Sequence, residues 1–380
     1  MRSRRSFLKT ASVATLPLLT SRSTAQSLSR DGLIVRMNEP RNLETPPSGL
    51  KPWTTPTEQF YVRSHFAVPK VDATTYKLTV TGHVERPFEL TLAQLLELSK
   101  SSRPLLLECA GNSRVFLIPT SPGLQWSHGA VGTASWTGVP LGALLERAGV
   151  KAGAVDVVLT GADKGTIAGP PSSPGVISYD RGIPLEKAKR DECLVATHMN
   201  GEPLPVSHGA PARAVIGGWY GMASVKWLTS IVVTDTPHHG FWQTIDYSIW
   251  ERRNETPTLV PVSTVQPKAV ILNPGPNGAV RAGLPVTITG KAWAGERRVA
   301  KVEISLDGGK TWESAALDGE EKPYCWRDWS YTWKSPIAGA ATITARCTDE
   351  KGTAQPATRD TDRRAYQINH LIPVDVSVRE

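Results

Sequence analysis

One cysteine, Cys109, stands where its side chain could do chemistry. It ends the apolar run 105–109, lies just before a Gly-Asn turn, and has Arg114 five residues further on. A thiol at the end of a buried strand can face a cavity while its backbone stays fixed. A nearby guanidinium favours the thiolate, which is both a nucleophile and a soft-metal ligand. The alternative is a buried structural thiol, because free cysteine often packs as a small apolar side chain.

Several stretches place polar and basic residues around this cysteine in an order that resembles the sulfite oxidase family of molybdenum enzymes. They are residues 61–69, 106–114, 160–163, 199–213 and 221–228. In that family the cysteine sulfur binds the metal of a pterin cofactor. The resemblance extends from about Gln59 to the C-terminus, and it implies molybdenum and molybdopterin as cofactors.

The resemblance also implies a role for individual residues. Those expected to bind the cofactor are Tyr61, Val62, Arg63, Ser64, His65, Cys109, Asp163, His208, Arg213, Ser224, Val225 and Lys226, and those expected to be catalytic are Arg63, Cys109, Arg114 and Tyr179. Cys109 is the expected metal ligand. Arginine suits phosphate through its bidentate fork and lysine as a point charge. Arg63 and Arg114 are expected to hold the substrate anion, with Trp136 as a wall of its pocket.

Three positions depart from the pattern of many relatives. Ser113 and Ser135 stand where arginines are common, and Tyr331 stands where the C-terminal domain often supplies a further pocket arginine. Fewer cations weaken recognition of a doubly charged anion, so the resemblance implies sulfite itself less firmly than it implies the fold. Arg181, next to Tyr179 in the chain, is a candidate to compensate.

The N-terminus predicts export. The run Ser3-Arg4-Arg5-Ser6-Phe7-Leu8-Lys9 has the twin-arginine pattern, and it is followed by a short apolar stretch and small residues near Ala25. Because twin-arginine signals are cleaved targeting segments, we expect residues 1–25 to be a signal peptide removed near Ala25 and the protein to be periplasmic.

Charge and cysteine content exclude other classes of protein. The formal net charge of +8 includes five basic residues and no acidic residue before Gln26, which leaves +3 for the mature chain. That modest charge, without basic clusters that interleave with aromatics, argues against a nucleic-acid partner. None of the four cysteines forms a Cys-x-x-Cys pair, so neither an iron–sulfur cluster nor a covalently bound haem is expected. Electrons would therefore pass to a c-type cytochrome or another external acceptor.

The elements predict an α+β fold in two domains. Short helices are expected at 91–98 and 141–148, among strands without a repeating βαβ rhythm, which places a mixed α+β molybdopterin domain at residues 26–260. Short alternating strands, such as 302–306, predict an all-β immunoglobulin-like sandwich at residues 261–380. That domain is the expected dimer interface, for a homodimer or a heterodimer. The sequence does not decide whether Cys325 and Cys347 form a disulfide.

The resulting hypothesis is an exported molybdopterin enzyme that oxidises sulfite, or a related sulfur oxyanion, to sulfate by oxo transfer. Two rivals remain at this point. One is a cysteine hydrolase that uses Cys109 with His208, which requires the two side chains within hydrogen-bond reach. The other is a catalytically inactive relative that only binds a partner.

Overall fold

The computed structural model describes residues 27–380, so the predicted signal peptide lies outside the described residues. The fold is mostly β, with only three short α-helices in the described chain: α1 (Leu92–Leu98), α2 (Leu141–Ala148) and α3 (Leu185–Ala188). The α+β prediction is confirmed in that both element types are present, but strands dominate. Within the described residues, no helix has the length and apolar character needed to cross a bilayer.

Helices α1 and α2 begin and end as their sequences predict. At the start of α1, the Thr91 side chain accepts a hydrogen bond from the Gln94 backbone N–H while Gln94 bonds back to the Thr91 backbone, which is a capping box. Helix α2 ends at Gly149, whose φ of 65° is a left-handed conformation that glycine adopts without strain. Local chemistry therefore sets the ends of both helices.

The N-terminal part of the chain is built mainly from two five-stranded sheets. Its strands are β1 (Ile34–Met37), β2 (Asn42–Glu44), β3 (Lys77–Gly82), β4 (Phe88–Thr91), β5 (Ser101–Glu108), β6 (Val131–Pro140), β7 (Asp156–Gly165), β8 (Ile177–Pro184), β9 (Cys193–Met199), β10 (Glu202–Pro203), β11 (Arg213–Ile216), β12 (Leu228–Thr234), β13 (Ser248–Arg253) and β14 (Thr256–Pro261). One sheet has the order β10-β9-β6-β5, with β11 also paired to β9, and the other has the order β4-β3-β12-β7-β8.

Each of these sheets contributes to the candidate site. Cys109 directly follows β5 in the first sheet, whereas Asp163 and Tyr179 lie in β7 and β8 of the second. Apolar side chains from both sheets, including Leu106, Leu159 and Ile231, share one buried core. This common core fixes the distance between the two sheets and therefore between the side chains at their edges.

One predicted strand starts later than expected. The apolar run 225–233 predicts a strand, but β12 begins at Leu228, and Val225 and Lys226 lie in the preceding loop. Trp227 has a φ of 48°, which breaks the extended conformation just before the strand. The loop turns the Lys226 side chain into the cavity described below.

The C-terminal part is all-β. Its strands are β15 (Lys268–Asn273), β16 (Gly278–Arg281), β17 (Val286–Trp293), β18 (Val299–Ser305), β19 (Glu313–Ser314), β20 (Ala316–Asp318), β21 (Arg327–Trp333), β22 (Gly339–Asp349) and β23 (Val374–Arg379). They form sheets of order β15-β17-β21-β20 and β16-β23-β22-β18-β19. Buried residues from both sheets, such as Ile288 and Ile343, form one core. This is the arrangement expected of a sandwich, while its immunoglobulin-like character stays a prediction.

The cysteines of this region are not paired. Cys325 and Cys347 are free and buried, and Cys347 packs in the sandwich core. Burial raises the pKa of each thiol to about 12, so both remain protonated at neutral pH. Both behave as packed apolar side chains rather than as reactive groups.

Candidate active site

An inner cavity with about 640 Å³ of empty space lies where the two N-terminal sheets meet. It brings together almost all of the residues that the sequence predicts for cofactor binding. The predicted residues that line it are Tyr61, Val62, Arg63, Ser64, His65, Cys109, Asp163, Tyr179, His208, Arg213, Ser224 and Lys226. They come from six separate segments of the chain, so the cavity is a product of the tertiary fold.

Cys109 is held rigidly at the wall of this cavity. Its backbone N–H donates to Ala130 O at 2.8 Å, and its carbonyl accepts from the Asn112 N–H at 2.9 Å. The other three cysteines, Cys193, Cys325 and Cys347, are buried and do not line this cavity. The arrangement presents a thiol on a fixed backbone.

Basic side chains outnumber acidic ones around the inner cavity, where Asp163 is the only acidic side chain among the described lining residues. Lys226 Nζ donates to Ser64 Oγ at 2.9 Å and to Ser207 O at 3.0 Å, and within residues 27–380 no carboxylate lies within salt-bridge distance of it. Burial and the Arg213 guanidinium hold the pKa of Lys226 well below its usual value. Burial also lowers the pKa of Arg213 to about 10. These cations lack the negative charge that would compensate their desolvation, and an anionic ligand would supply it.

Burial shifts the pKa of two cavity residues, His208 and Asp163, towards their uncharged forms. Burial, reinforced by Arg213, lowers the pKa of His208 to about 3, so its imidazole is neutral at pH 7. Burial raises the pKa of Asp163 to about 6, although Lys226 opposes that shift. Asp163 Oδ1 is buried without a hydrogen-bond partner. A buried oxygen of this kind is available to accept a ligand N–H.

An outer cleft opens beside the inner cavity. The two share Arg63, His65, Cys109 and Tyr247, so the Cys109 thiol lies at their junction. Three further cationic side chains line the cleft, namely Arg36, Arg114 and Arg364. The outer cleft is much the wider of the two and gives a route from solvent to Cys109.

Arg114 lies in the outer cleft, as predicted for a residue that holds an anion. Its guanidinium donates to Leu124 O at 2.9 Å and to Ala365 O at 3.0 Å. Those contacts fix the position of the charge. Arg63 is similarly held, by Asn42 Oδ1 at 3.3 Å and by the Ser64 carbonyl. Both guanidinium groups are therefore oriented before a ligand enters.

An aromatic cluster lines the junction of the two spaces. The His65 ring stacks on Tyr179 with centroids 4.5 Å apart, and His65 Nε2 is 2.6 Å from Tyr247 Oη. The Tyr179 hydroxyl donates to Met222 O at 2.8 Å. Burial raises the pKa of Tyr179 and of Tyr247, so both phenols keep their protons at neutral pH. They can donate a hydrogen bond to an oxygen atom at the junction only by rotating from these partners.

Besides Arg36, whose guanidinium pairs with Glu44, the sequence analysis missed two residues of this site, Tyr247 and Arg364. Tyr247 follows a π-helical turn at 242–246, and Arg364 lies in the loop between β22 and β23 with a φ of 52°. Neither belongs to a recognisable motif. The only signal in the sequence is the Arg363-Arg364 pair, in the domain where a pocket arginine is expected.

Val225 is expected to contact the cofactor through its backbone, and that contact stays a prediction. Its side chain is buried in the core, and its carbonyl accepts from the Ala214 N–H. Other expected placements are wrong. Trp136 is fully buried behind the wall and donates to Leu105 O. Arg181 is fully buried, and its guanidinium donates to Trp242 O and Val262 O. It lines neither the inner cavity nor the outer cleft and adds no charge there. Tyr331 bonds Glu313 on the sandwich surface.

The arrangement does not provide a cysteine–histidine catalytic pair. His208 Nε2 lies 3.3 Å from Thr57 O, and no hydrogen bond joins His208 to Cys109 within the described chain. A hydrolase requires the thiol and imidazole within hydrogen-bond reach. The geometry therefore contradicts the hydrolase alternative.

The donor set fits a molybdopterin cofactor. Arg213 and Lys226 suit a terminal phosphate, and Asp163 Oδ1 suits a ring N–H. A thiolate is a soft ligand of the kind that such a metal takes. A Cβ at Gly161 would stand 2.6 Å from Asp163 Oδ1, so glycine keeps this side of the cavity open.

Comparisons with known proteins agree with this fit. Residues 65–242 match the oxidoreductase molybdopterin binding domain, and residues 261–370 match the Mo-co oxidoreductase dimerisation domain. The chain is 34% identical to mitochondrial sulfite oxidase of Homo sapiens over 347 residues, covering 86% of this chain and 62% of that protein. It is 32% identical to the NADH nitrate reductase of Solanum lycopersicum over 363 residues, covering 87% of this chain and 39% of that protein.

A solved structure agrees as well. The sulfane dehydrogenase SoxCD from Paracoccus pantotrophus is 26% identical, with a TM-score of 0.78, covering 96% of this chain and 93% of that chain. The resemblance found in the sequence is thus confirmed, together with molybdenum and molybdopterin as the cofactor. The chain is an enzyme that belongs to the sulfite oxidase family of molybdopterin-dependent oxidoreductases.

Proposed function

We propose that this protein oxidises sulfite, or a related sulfur oxyanion, to sulfate. The observation that carries the proposal is the position of Cys109, at the junction of a cation-lined inner cavity and an arginine-lined outer cleft. The inner cavity accounts for an anionic cofactor and the outer cleft for an anionic substrate. The chain spans 62% of the length of the human sulfite oxidase, so the activity of that whole protein is a proposal for this chain.

The roles of the site residues follow from their positions. Cys109 would bind molybdenum, Asp163 would accept from the pterin ring, and Arg213, Ser224 and Lys226 would hold its phosphate, with His208 beside them as a neutral donor. When bound, the cofactor supplies oxo transfer and accepts two electrons. The protein contributes orientation and electrostatics, which it fixes in advance through the bonds described above.

The substrate anion would lie in the outer cleft. Arg63 and Arg114 are already held by backbone and amide oxygens, so little ordering is needed when an anion binds. The fourth arginine of the cleft, Arg36, is already paired with Glu44, so Arg364 adds the third unpaired charge, and it comes from the C-terminal domain. In this proposal Arg364 compensates for the charge that Ser113, Ser135 and Tyr331 do not supply.

A second candidate substrate is sulfane sulfur. The outer cleft is far wider than a sulfite ion requires, and apolar residues such as Val35 and Ile167 line it beside the arginines. The structural relative named as a sulfane dehydrogenase matches this chain over nearly its whole length. A sulfane compound with an anionic end would use both the apolar and the cationic walls.

Electrons would leave to an external acceptor, for which a c-type cytochrome is our proposal, and the C-terminal domain would form a homodimer or a heterodimer. Export by the twin-arginine route to the periplasm is likewise proposed from Arg4 and Arg5. Replacing both arginines by lysine should leave unprocessed precursor in the cytoplasm, as measured by cell fractionation. Normal delivery of that variant would point to a different export route.

Steady-state reduction of an artificial acceptor by the molybdenum-loaded protein tests the function. Sulfite and a sulfane compound such as thiosulfate are compared as electron donors on one preparation, and nitrate is tested on the same preparation as the oxidant of a reduced artificial donor. We expect sulfite-dependent turnover, which Cys109→Ser abolishes without unfolding the protein, because an alkoxide is a harder ligand than a thiolate. Cys193→Ser is the matched control, since that buried thiol lines neither the inner cavity nor the outer cleft.

The three substrates separate the alternatives. Turnover with thiosulfate but not with sulfite would indicate that sulfane sulfur is the substrate. A protein that carries molybdenum and turns over none of them would be the catalytically inactive binding protein considered above. Full activity of Cys109→Ser would remove Cys109 from the metal.

A further inference from the structure

The segment that carries Cys109 is contacted by the C-terminal domain at every second residue. Glu108, Ala110, Asn112 and Arg114 each bond to a residue beyond position 260. The Gln367 backbone N–H donates to Ala110 O at 2.9 Å, and the Arg114 guanidinium donates to Ala365 O. Cys109 is therefore flanked on both sides by contacts from the other domain.

The contacts of Glu108 and Asn112 form a buried set that we call the Glu108 network, consisting of Glu108, Asn112, Lys268 and Trp293. Glu108 Oε1 accepts from Lys268 Nζ at 3.0 Å and from Asn112 Nδ2 at 3.0 Å, and Oε2 accepts from Trp293 Nε1 at 2.8 Å. Lys268 Nζ also reaches Asn112 O at 3.4 Å. All four residues are at most 2% exposed.

The Glu108 network closes the turn around Cys109. Glu108 precedes the cysteine and Asn112 follows it by three residues, and Lys268 bonds to both. Asn112 Oδ1 then accepts from the Ala130 N–H at 3.0 Å, next to the bond that Cys109 N–H donates to Ala130 O. Lys268 thus connects the two ends of the turn to each other.

Lys268 does not line the inner cavity or the outer cleft, so it contacts neither cofactor nor substrate there. A buried ion pair is a weak source of stability, because apolar replacement of both partners is often neutral or stabilising. Its geometry, however, is specific, since three hydrogen bonds converge on one carboxylate. The network is better suited to fixing a position than to stabilising the fold.

We propose that Lys268, on the first strand of the C-terminal sandwich, is a positioning residue that holds the Cys109 turn in place through Glu108 and Asn112. The C-terminal domain is then part of the active-site scaffold in addition to its dimerisation role. The structural claim stands on the network alone, and only its kinetic consequence rests on the proposed function.

Two variants and one control test this role by hydrogen–deuterium exchange of the cofactor-loaded protein. Lys268→Met removes the bridging ammonium and leaves the Glu108 carboxylate buried without it. The double variant Glu108→Gln/Lys268→Met removes both charges, so that no unpaired charge stays buried. Lys291→Met is the matched control, because Lys291 is a buried lysine of the same sheet that pairs with Asp328 at 2.6 Å and does not contact the turn.

We expect the amides of residues 109–114 to exchange about ten-fold faster in both Lys268 variants than in the wild type or in Lys291→Met, because the turn opens locally more often without the Lys268 contacts. The melting temperature should fall in the single variant and recover in the double variant. In the sulfite assay, kcat should fall about ten-fold in both while KM is unchanged, because Lys268 contacts residues 108 and 112, whereas the Arg114 guanidinium is held separately by Leu124 O and Ala365 O.

Recovery of slow exchange together with the melting temperature in the double variant would show that Lys268 acts only on stability, and it would overturn the proposal. Equal exchange in Lys268→Met and Lys291→Met would do the same. The exchange measurement does not depend on the substrate. A failure of the proposed sulfite activity would thus leave this result interpretable.

Discussion

Two buried lysines of this protein differ in their partners, because one is paired with a carboxylate and the other is not. Lys268 in the Glu108 network bonds a carboxylate, whereas Lys226 at the inner cavity bonds only a hydroxyl and a carbonyl. Burial lowers the pKa of both, but Glu108 offsets the effect for Lys268. The contrast separates a charge that the fold itself neutralises from a charge that awaits a ligand.

The same contrast applies to the carboxylates. Glu108 accepts three hydrogen bonds, while Asp163 Oδ1 has no partner in the described residues. A buried polar group without a partner costs free energy in the ligand-free fold, and binding of the ligand returns that free energy. A region in which a buried cation lacks an ion-pair partner and a buried carboxyl oxygen lacks a hydrogen-bond donor therefore marks the binding site. The number of charges alone is a less reliable indicator.

Arg114 connects the two regions, because it lines the outer cleft and also bonds the C-terminal domain. We expect Arg114→Gln to raise KM for sulfite with kcat nearly unchanged. Losing one desolvated contact to an anion costs about 2–4 kcal/mol, or roughly 30- to 1000-fold in kcat/KM. Steady-state kinetics measure it.

Arg103→Gln is the control for that experiment, since Arg103 forms an exposed pair with Asp191 and lines neither space. Unaltered KM in Arg114→Gln, at unchanged molybdenum content, would place the anion elsewhere or indicate a different substrate. Loss of molybdenum would instead assign Arg114 to the support of the Cys109 turn.

Lys226→Met should affect binding and stability in opposite directions. Losing a charge-assisted contact to the cofactor phosphate should weaken retention of the cofactor by about 10- to 100-fold. The cofactor-free protein should become more stable, because a cation that burial disfavours is gone. Molybdenum content and the melting temperature of the cofactor-free form are the two measurements.

Lys268→Met supplies the comparison for Lys226→Met. Removing one partner of a buried pair leaves an uncompensated charge and costs about 3–5 kcal/mol. The two lysine variants should therefore shift the melting temperature of the cofactor-free protein with opposite signs. Equal destabilisation would mean that Lys226 is a structural residue.

Sequence patterns located the inner cavity far better than they located the outer cleft. The cavity residues lie in short motifs whose order along the chain is informative, so almost all of the expected residues line the cavity. Arg364 and Tyr247 reach the junction from loops whose course depends on packing between domains. No local pattern encodes such a course. The start of β12 was missed for the same reason, because the φ of 48° at Trp227 is imposed where its indole donates to Val206 O.

Element boundaries followed local chemistry where that chemistry is complete. The capping box at Thr91 and the glycine after α2 gave both ends correctly, because each supplies its own backbone hydrogen bonds. The Glu108 network shows that contacts between residues far apart in the chain cannot be predicted from local sequence. Lys268 lies 160 positions from Glu108, and a lone lysine in a strand gives no sign of its partner.

The smallest expected effect is on the pH dependence of stability and concerns Asp163. Its folded-state pKa, raised by burial to about 6, exceeds the value of about 4 expected in the unfolded chain. The folded state therefore binds the extra proton between those values, and stability falls as pH rises through that window. Asp163→Asn should remove this loss and stabilise the cofactor-free protein by about 2 kcal/mol at pH 7.

Denaturant unfolding of the cofactor-free Asp163→Asn protein at about pH 4 and about pH 7 measures the effect. The gain over the wild type should be clear at the higher pH and nearly vanish at the lower. Asp307→Asn is the control with the reverse sign, because hydrogen bonds from the Thr311 backbone and the Ser305 hydroxyl lower the pKa of that exposed carboxyl. A gain that is the same at both pH values would mean that the burial of Asp163 is not what makes its charge costly, and the contrast with Glu108 would then fail.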